Sequence, residues 1–483
     1  MVKNRILNPI FFAIILMALA LSSCKDWLTI APENDLIKEK FWTKKQDVEG
    51  ALGATYDAFR NGAPKSLLLG EVRADLIVIG SSAYDGNYTR IAASDINSTN
   101  GAVNWGEYYE TINLANTLMY YDKEVFLKDK TFTQKIKNGI DAEALFLRSL
   151  SYFYLVRIWK DVPLVLHPSI SDTSSLFIPK SPEKVVIRQI IKDLLIAKDL
   201  AYTTEYRNDP QHPKYFNGRA NKYSIMALLA DVYLWDQQYQ NCINYCDSVS
   251  NTGLFSLEST DTWFNLYYPG NSKVESIFEI QYDDNLDSQE NPFYSDALYK
   301  NMISPGRIVQ TLFSIQDQRL TTMGIGKYLL IASNPPVLRS GNQRDGHFIY
   351  YRYADILLMR SEAACELNNI GLANDNLRET MDRAGVSLVD VGVKEDLRKA
   401  ILDERGREFI IEGKRWFDLL RAAKRNNFQK KQIIIDMILA GADIQRQAVL
   451  RTKVFDTMSY YLPIPERDIL YNPGLLQNPF YNR

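Results

Sequence analysis

Two stretches of the sequence, which begin at Gly218 and Arg352, carry the same pattern of two amphipathic helices joined by a short polar turn. The turns are predicted at residues 236–238 in the first stretch and 368–371 in the second. Each unit is close to the roughly 34 residues of a tetratricopeptide helix pair. Because one such pair cannot bury its apolar face alone, pairs stack on one another. The sequence therefore predicts a mostly α fold, with tetratricopeptide-like helix pairs stacked as a scaffold.

Two more helices are predicted ahead of the first pair, one from Asn104 and one within residues 132–159. Irregular stretches rich in Pro, Gly, Ser and aromatic residues lie at 160–182 and 259–306. Loops of this length in a compact protein are usually functional or disordered, and these are too aromatic to be simple solvated linkers. We therefore expect a loop-rich half that binds a ligand.

The N-terminus has the features of a secretory signal, because Lys3 and Arg5 precede an uncharged apolar run at 10–21. That run is shorter than the about 20 residues that a membrane-spanning helix needs. The sequence Leu-Ser-Ser-Cys follows and matches a bacterial lipobox. We therefore predict a lipoprotein signal peptide at 1–23 and a lipid-modified Cys24 that anchors the protein to a membrane. The alternative is an ordinary cleaved signal that ends near a cysteine.

Charge and composition exclude several function classes. The formal net charge of -2 leaves no basic surplus to neutralise phosphates, so nucleic acid is not an expected partner. The three histidines are far apart in the sequence, which disfavours structural zinc. Apart from Cys24, the cysteines are Cys242, Cys246 and Cys365. We expect buried core thiols, with a redox or metal pair at Cys242 and Cys246 as the alternative.

The most enzyme-like stretch has three glutamates on one predicted helical face, at Glu404, Glu408 and Glu412. Carboxylates arranged in this way can serve as a general acid and base. However, Arg415, Asp418 and Arg421 follow at spacings of three, and opposite charges at that spacing pair on a helix surface. We therefore interpret the stretch as structural ion pairs. The sequence also lacks a nucleophile elbow, a His-Glu-x-x-His motif and a Walker loop, and we expect no enzyme.

A polar stretch that begins at Asp283 partly matches a calcium-binding loop, because Asn285 and Asp287 follow at ligand spacing. Two positions do not fit. Ser288 stands where the sharp turn needs glycine, and Tyr294 stands where the loop needs glutamate. The pattern favours a solvated polar loop and no cofactor, with calcium as the alternative.

Motifs along nearly the whole chain resemble those of the SusD/RagB family of Bacteroidetes outer-membrane lipoproteins. In order, they read CKDWLTIAPENDLI, FWTKKQDVEGALGATYDAF, WGEYYETINLANTL, AEALFLRSLSYFYLVRIWKDVPLVL, GRANKYSIMALLADVYLW, ESIFEIQY, RYADILLMRSEAACELNN, ILDERGREFIIEGKRWFDLLR and YYLPIPERDILYNPGLLQNPFYNR. Two positions depart from the family pattern. Lys160 stands where the family usually has glycine, and Phe480 replaces the glycine of the closing motif.

The resemblance implies the SusD-like fold and a function in nutrient capture without catalysis. It implies an N-terminal region at 24–258 and a C-terminal region with aromatic loops at 259–483. The expected partner is a SusC-like TonB-dependent transporter, to which the protein delivers oligosaccharide. The alternative ligand is a peptide, as in RagB-like members. The expected location is the outer membrane, with a lipid anchor and the protein facing the cell exterior.

The resemblance also implies a ligand site built from loops in two regions whose sequences vary within the family. Aromatic rings stack on sugars and polar side chains bind hydroxyl groups, so residues of these types in the two regions are the expected ligand contacts. The candidates in the two regions are Arg73, Asp75, Tyr84 and Tyr88, and Tyr282, Phe293, Tyr294 and Tyr299. For any one tyrosine, a place in the core or at a transporter interface is the alternative. We place Trp105 and Trp416 in the core.

Overall fold

The computed structural model describes a mostly helical protein. The described residues are 41–79, 86–169, 177–207, 209, 211–212, 214–283, 303–319, 327, 330–331, 337–338 and 345–482. Strands in these residues are short and occur as two-stranded antiparallel ladders. The predicted fold class, a mostly α protein with the SusD-like architecture, is confirmed.

The helices divide between the two halves of the chain. In the first half they are α1 Lys45–Glu71, α2 Gly86–Ala92, α3 Gly106–Lys128, α4 Gln134–Trp159, α5 Glu183–Leu200, α6 Tyr215–Gly218, α7 Lys222–Trp235 and α8 Tyr239–Ser250. In the second half they are α9 Val309–Leu312, α10 Tyr353–Glu366, α11 Ile370–Arg383, α12 Lys394–Glu408, α13 Arg415–Phe428, α14 Gln432–Ala440, α15 Ile444–Val454 and α16 Glu466–Tyr471. Short 3₁₀ helices lie at Gly101–Val103, Trp263–Leu266, Thr457–Tyr460 and Pro479–Tyr481.

The described strands form four antiparallel pairs. The first two are β1 Ile77–Ile79 with β5 Ile303–Pro305, and β2 Val162–Pro163 with β3 Lys180–Ser181. The other two are β4 Ser276–Ile280 with β8 Phe348–Arg352, and β6 Leu330–Ile331 with β7 Val337–Leu338. The β4–β8 pair is completely buried and places the residues that follow β4 beside α6.

Both predicted helix pairs are confirmed, as α7 with α8 and α10 with α11. The second turn contains Asn368 at a φ of 61°, a conformation that asparagine tolerates better than most residues. The next residue, Asn369, caps α11 by accepting a hydrogen bond from the Leu372 amide. The two pairs stack on each other, since the Cys242 thiol in α8 lies 3.8 Å from the Met359 carbonyl oxygen in α10.

Helices α3 and α4 confirm the other two predicted helices, and a buried charge network joins them to α5. Arg148 in α4 donates to Asn116 in α3 over 2.7 Å and to Asp193 in α5 over 2.7 and 3.0 Å. Helix α4 ends at Trp159, and the next residue, Lys160, has a φ of 70°, which lies in the region that favours glycine. Lysine therefore occupies a glycine-like turn at the position where it departs from the family pattern.

One hydrophobic core crosses the predicted boundary between residues 258 and 259. Its cluster of buried residues extends from Phe59 to Leu475. Hydrogen bonds cross the boundary as well, because the Trp159 indole donates to the Pro463 carbonyl over 3.0 Å. The two regions thus share their core, and the division of the chain at this point stays a prediction.

The structure confirms the expected burial of the cysteines and of two tryptophans. Cys242, Cys246 and Cys365 are buried and unoxidised, and burial raises the pKa of the Cys242 thiol. Trp105 and Trp416 are core residues. Residues 1–23 and Cys24 lie outside the described residues, so the signal and the lipid stay predictions. Among the described helices, none combines the length and hydropathy needed to cross a bilayer.

Candidate ligand-binding site

An open cleft of about 340 Å³ lies between α1 and the end of β4. One wall is a single face of α1, because Gly53, Tyr56, Asp57 and Arg60 are spaced by three or four residues. The other wall consists of Gly218, Ile280 and Gln281. Its size falls within the lower range of small-molecule sites, about 300–1,000 Å³. We call it the α1 cleft.

Two glycines shape the α1 cleft. A Cβ atom on Gly53 would meet no other atom within 4 Å, so this side of the cleft is open space. A Cβ atom on Gly218 would lie 2.6 Å from the Gln281 side-chain amide, so only glycine lets that amide lie across the end of α6. The Gln281 Nε2 atom donates to the Lys214 carbonyl over 2.7 Å and to Asn271 Oδ1 over 2.6 Å. Two hydrogen bonds therefore fix the Gln281 side chain in this wall of the cleft.

The phenol of Tyr56 is fixed by a buried polar network beneath the cleft. Its Oη atom donates to Glu143 Oε2 over 2.6 Å and accepts from the Ala220 amide over 2.8 Å. The Glu143 carboxylate also accepts from Tyr206 over 2.7 Å and from Arg219 over 2.7 and 2.9 Å. Burial and the neighbouring Glu143 charge raise the Tyr56 pKa well above its usual value. Tyr56 is thus a neutral side chain in a fixed orientation.

The wall formed by α1 also carries an ion pair. Arg60 donates to the Asp57 carboxylate one turn away. The Asp57 side chain is 55% exposed, whereas the Arg60 side chain is 18% exposed. The two charges cancel, so this wall offers hydrogen-bonding groups without net charge. Together with the Gln281 amide, these groups can bind hydroxyl groups of a neutral polar ligand.

Arg73 and Asp75, two of the predicted ligand-binding residues, join the two halves of the chain. The Arg73 guanidinium is stacked 4.1 Å above the Trp416 ring and donates to the Ser459 carbonyl over 2.9 Å. Asp75 accepts two hydrogen bonds from Arg415, over 2.8 and 3.0 Å. These contacts favour a structural role for both residues.

Tyr88 and Tyr282 are buried, at 8% and 5% exposure. Burial raises the pKa of Tyr282. Tyr282 directly follows Gln281, so the second predicted loop region borders the α1 cleft along the chain. The other four ligand-binding candidates lie outside the described residues: Tyr84, Phe293, Tyr294 and Tyr299.

The calcium alternative falls mostly outside the described residues, which include Asp283 but not Asn285, Asp287, Ser288 or Tyr294. The Asp283 carboxylate lies 3.9 Å from the Lys214 ammonium. Among the residues that the structure describes, no group of three or more His, Cys, Asp or Glu side chains is arranged to hold a metal.

The residues of α1 that line the cleft were not among the predicted ligand-binding residues. A signal for them exists in the sequence GALGATYDAFR, where small and polar residues recur at positions 53, 56, 57 and 60. Leu52 and Phe59 on the other face of the same helix are buried. A helix of a buried scaffold that keeps such a polar face is a candidate for ligand contact.

The interpretation of the stretch with Glu404, Glu408 and Glu412 as structural ion pairs is confirmed, but the expected placement of these pairs on a helix surface is wrong. Helix α12 ends at Glu408, and the chain then turns through Ile411 and Gly413 at positive φ. All three glutamates are buried. Arg415 pairs with Asp75, and only the expected pair between Arg421 and Asp418 forms, at 2.9 Å. The turn after Glu408 redirects the following residues, which breaks the expected spacing.

The three glutamates are instead part of an internal ionic cluster. Arg352 lies at its centre and donates to Glu408 over 2.6 Å and to Glu412 over 3.0 Å. Arg319 donates to Glu404 over 2.7 Å and to Glu408 over 2.6 Å. Arg352 and Lys327 lower the pKa of Glu412 to about 2, although burial alone would raise it. Arg383, Arg352 and Arg319 hold the pKa of Glu408 well below its usual value against the same effect of burial. Buried carboxylates whose pKa is held low in this way, here Glu408 and Glu412, are structural and unsuited to general acid catalysis.

Comparisons with known proteins cover both halves of the chain. Residues 225–481 match the model of the SusD family, and residues 26–234 match a family described as "Starch-binding associating with outer membrane". The chain is 25% identical to SusD-like protein P38 of Formosa agariphila, across 86% of this chain and 91% of that protein. It is 24% identical to SusD-like protein P2 of the same organism, across 96% and 98%.

Solved structures share the fold. A SusD superfamily protein from Bacteroides vulgatus aligns with a TM-score of 0.73 at 20% identity, covering 91% of this chain and 100% of that one. Surface glycan-binding protein A from Bacteroides uniformis aligns with a TM-score of 0.71 at 21% identity, covering 90% and 99%. With the family model matching more than half of its length, the chain belongs to the SusD family.

Proposed function

We propose that this protein captures an oligosaccharide at the cell surface and delivers it, chemically unchanged, to a SusC-like TonB-dependent transporter. The observation that carries the proposal is the family match along both halves of the chain, one of them to a starch-binding, outer-membrane family. The name of the Bacteroides uniformis relative, a surface glycan-binding protein, supports the same ligand class.

The α1 cleft is the proposed place of capture. Its walls bring an amide, a carboxylate and a guanidinium around open space, and these groups suit the many hydroxyl groups of a sugar. The Tyr56 ring adds an aromatic surface of fixed orientation. Three of the predicted ligand-binding residues, Phe293, Tyr294 and Tyr299, follow the cleft residue Gln281 in the sequence and lie outside the described residues.

The proposed mechanism is non-covalent. The internal carboxylates of Glu404, Glu408 and Glu412 are occupied by arginines, which supports a role without catalysis. The lipid on Cys24 holds the protein at the outer membrane beside its transporter. Delivery then requires that the loaded and empty forms bind the transporter with different affinities, since a ligand shifts an equilibrium only through such a difference.

A parallel screen tests the ligand class. The purified protein is applied to a glycan array and, separately, to a mixture of peptides. Each bound ligand is then recovered and analysed by mass spectrometry. The proposal predicts retention of an oligosaccharide that is recovered intact. Retention of peptides alone would support the RagB-like alternative, and recovery of cleaved sugar would contradict a role limited to binding.

Mass spectrometry also tests the anchor. Protein extracted from outer membranes should carry acyl chains on Cys24, and a Cys24→Ala variant should be lost from the membrane fraction. Affinity purification of the wild-type protein should recover a TonB-dependent β-barrel. Unmodified wild-type protein in the medium would contradict the anchor without bearing on the ligand class.

A further inference from the structure

The exposed face of α3 carries alternating apolar and cationic side chains near its C-terminal end. Tyr120, Lys123 and Leu127 are spaced by three and four residues, so they lie in one stripe along the helix. Tyr120 is 47% exposed, Leu127 is 74% exposed, and Lys123 is exposed as well. Lys130, just beyond the helix, lies next to them, because its ammonium donates to the Leu127 carbonyl over 3.4 Å. We call Tyr120, Lys123, Leu127 and Lys130 the α3 stripe.

The first described residues of the chain lie beside the α3 stripe. Trp42, which follows Phe41, stacks its ring on that of Tyr121, with 5.1 Å between the centroids. The Tyr121 ring also contacts that of Tyr120, with 4.9 Å between the centroids. The Lys128 ammonium donates to the Trp42 carbonyl over 3.4 Å. The residues at the start of α1 and the end of α3 thus form one continuous surface.

This surface lies close in the sequence to the predicted lipid. Only residues 25–40 separate Phe41 from Cys24. Because a polypeptide spans at most about 3.6 Å per residue, Phe41 lies within about 60 Å of the membrane in an anchored protein. A tether of this length also raises the effective concentration of the attached surface at the membrane, so weak contacts suffice for binding.

The two lysines of the α3 stripe are not engaged by carboxylates. Among the residues that the structure describes, neither Lys123 nor Lys130 forms an ion pair. The neighbouring carboxylates have other partners. Glu124 pairs with Lys128 at 3.4 Å, and Asp129 accepts from two backbone amides over 2.8 Å each. Both lysines therefore remain available for anionic groups outside the protein.

From the exposed apolar side chains, the two lysines and the position of the tether, we propose that the α3 stripe lies on the lipid surface of the membrane. Interfacial helices combine these residue types, with apolar side chains toward the acyl chains and lysines toward anionic lipids. Leu127 enters the boundary between headgroups and acyl chains, and Tyr120 lies at the level of the headgroups. Lys123 and Lys130 bind lipid phosphate groups. The inference rests on the proposed lipid anchor and is independent of the α1 cleft.

A polarity-sensitive nitrobenzoxadiazole label tests the contact. It is attached to Thr131→Cys, because Thr131 is exposed next to the α3 stripe and its replacement leaves the stripe intact. Cysteines 242, 246 and 365 are buried, which protects them from labelling. The control is Leu470→Cys in α16, since Leu470 is 76% exposed and lies outside the stripe. Each labelled, lipidated protein is reconstituted into vesicles of phosphatidylethanolamine and phosphatidylglycerol that contain nitroxide lipids.

The proposal predicts blue-shifted emission that the nitroxide lipids quench at position 131, and unquenched, water-like emission at position 470. Water-like emission at position 131 would overturn it, as would equal quenching at both positions. A blue shift at position 131 without quenching would also overturn it, because that result indicates burial against a protein.

The lipid anchor is tested separately, by mass spectrometry of the same preparation. If Cys24 carries no acyl chains, a hexahistidine tag in its place attaches the chain to nickel-chelating lipid in the vesicles. The same fluorescence results are then expected. Absence of the lipid and absence of membrane contact at the α3 stripe are therefore distinct outcomes.

Leu127→Ser, introduced into the Thr131-labelled protein, gives a second readout, with Leu470→Ser as its matched control. The ratio of quenched to unquenched label should fall at least about tenfold in Leu127→Ser, because returning about 60 Å² of apolar surface to water changes an equilibrium by this factor. Leu470→Ser should leave the ratio unchanged. An equal ratio in both variants and the parent protein would show that Leu127 does not enter the membrane, which would contradict the proposal.

Discussion

Tyr56 in α1 and Glu143 in α4 are 87 positions apart in the sequence, and their side-chain oxygens are 2.6 Å apart. Glu143 is completely buried and accepts hydrogen bonds from Tyr206 and Arg219 as well. The orientation of the cleft residue Tyr56 is therefore set from beneath by the scaffold. A rigid support of this kind reduces the entropy lost when a ligand binds.

Tyr56→Phe tests this support. The substitution removes the hydroxyl group that serves both Glu143 and the Ala220 amide. It leaves the buried Ala220 amide without its acceptor and removes one of the hydrogen bonds that Glu143 accepts. We expect a loss of about 1–3 kcal/mol in the free energy of unfolding, measured by urea denaturation. Tyr120→Phe is the control, since Tyr120 is 47% exposed, and it should change stability by less than about 0.5 kcal/mol. An equal loss of unfolding free energy in both variants would show that the hydrogen bonds of Tyr56 do not stabilise the protein.

Asp57→Asn tests the charge balance of the cleft. The substitution frees Arg60 from its carboxylate partner and leaves a net positive charge on the wall formed by α1. We expect affinity for uronate-containing oligosaccharides to rise relative to neutral ones, measured by calorimetry. The control is Asp95→Asn, which breaks a similarly exposed pair with Arg90 away from the cleft. If both variants bind neutral and acidic sugars as the wild type does, the ion pair does not set charge preference.

Glu408→Gln tests the internal ionic cluster. Glu408 balances Arg319 and Arg352, which are buried, and Arg383, whose side chain is 6% exposed. Loss of its charge should lower the free energy of unfolding by about 3–5 kcal/mol, because buried cations lose a partner. Affinity for ligand, measured on the folded fraction, should be unchanged. A selective loss of binding with a normal melting temperature would show that the cluster contributes to function.

Glu395→Gln is the matched control for that prediction. Glu395 belongs to the same helix, α12, but its ion pairs with Lys430 and Arg398 lie at the surface, with the Glu395 side chain 56% exposed. Exposed pairs contribute about 0–1 kcal/mol. Both variants remove one negative charge, so the difference between their losses of unfolding free energy measures the effect of burial.

Glu71 gives a prediction for pH. Its Oε1 atom accepts from the Gly413 amide over 2.9 Å and the Lys414 amide over 3.3 Å, just before α13 begins. Burial raises its pKa from 4.5 to about 8. The folded state therefore binds a proton that the unfolded state releases between these two values, and stability falls as pH rises through that window.

Glu71→Gln removes this titration and keeps an oxygen that can accept from Gly413. The free energy of unfolding of the wild type should fall relative to the variant by up to about 1.4 kcal/mol per pH unit within the window. Denaturation curves at several pH values measure the difference. Parallel curves for the two proteins would mean that Glu71 has an ordinary pKa.

The helical scaffold was predictable because it depends on local pattern. The pairs α7–α8 and α10–α11 follow from apolar spacing and short polar turns, and buried alanines such as Ala230 and Ala364 allow close packing. The turn after α4 is another local feature. It forms at a positive φ although Lys160 stands where the family usually has glycine.

The cleft and the ionic cluster were less predictable because they depend on contacts distant in sequence. Nothing local distinguishes Glu408 from a surface glutamate, and its partners Arg319 and Arg352 are 89 and 56 positions away. Arg73 and Asp75 have the side chains of ligand-binding residues, but tertiary packing directs them to Trp416 and Arg415. Ligand binding by these two residues stays a prediction, and only the fold identifies their partners within the protein.

The α1 cleft can be blocked without disturbing the core. Gly53 lies in the exposed face of α1, and a side chain there would enter open space. Glycine is about 1 kcal/mol less favourable than alanine in a helix and also less favourable than tyrosine, so Gly53→Tyr should fold at least as well as the wild type. Gly50→Tyr is the matched control, because Gly50 lies in the same helix, also faces open space, and is not part of the cleft wall.

Calorimetric titration of these two variants with the oligosaccharide retained in the screen tests the central claim most directly. We predict that Gly53→Tyr weakens binding by at least about tenfold, a change of about 1.4 kcal/mol, while Gly50→Tyr binds as the wild type does. Unchanged affinity in a correctly folded Gly53→Tyr protein would contradict the assignment of the α1 cleft as the site of capture.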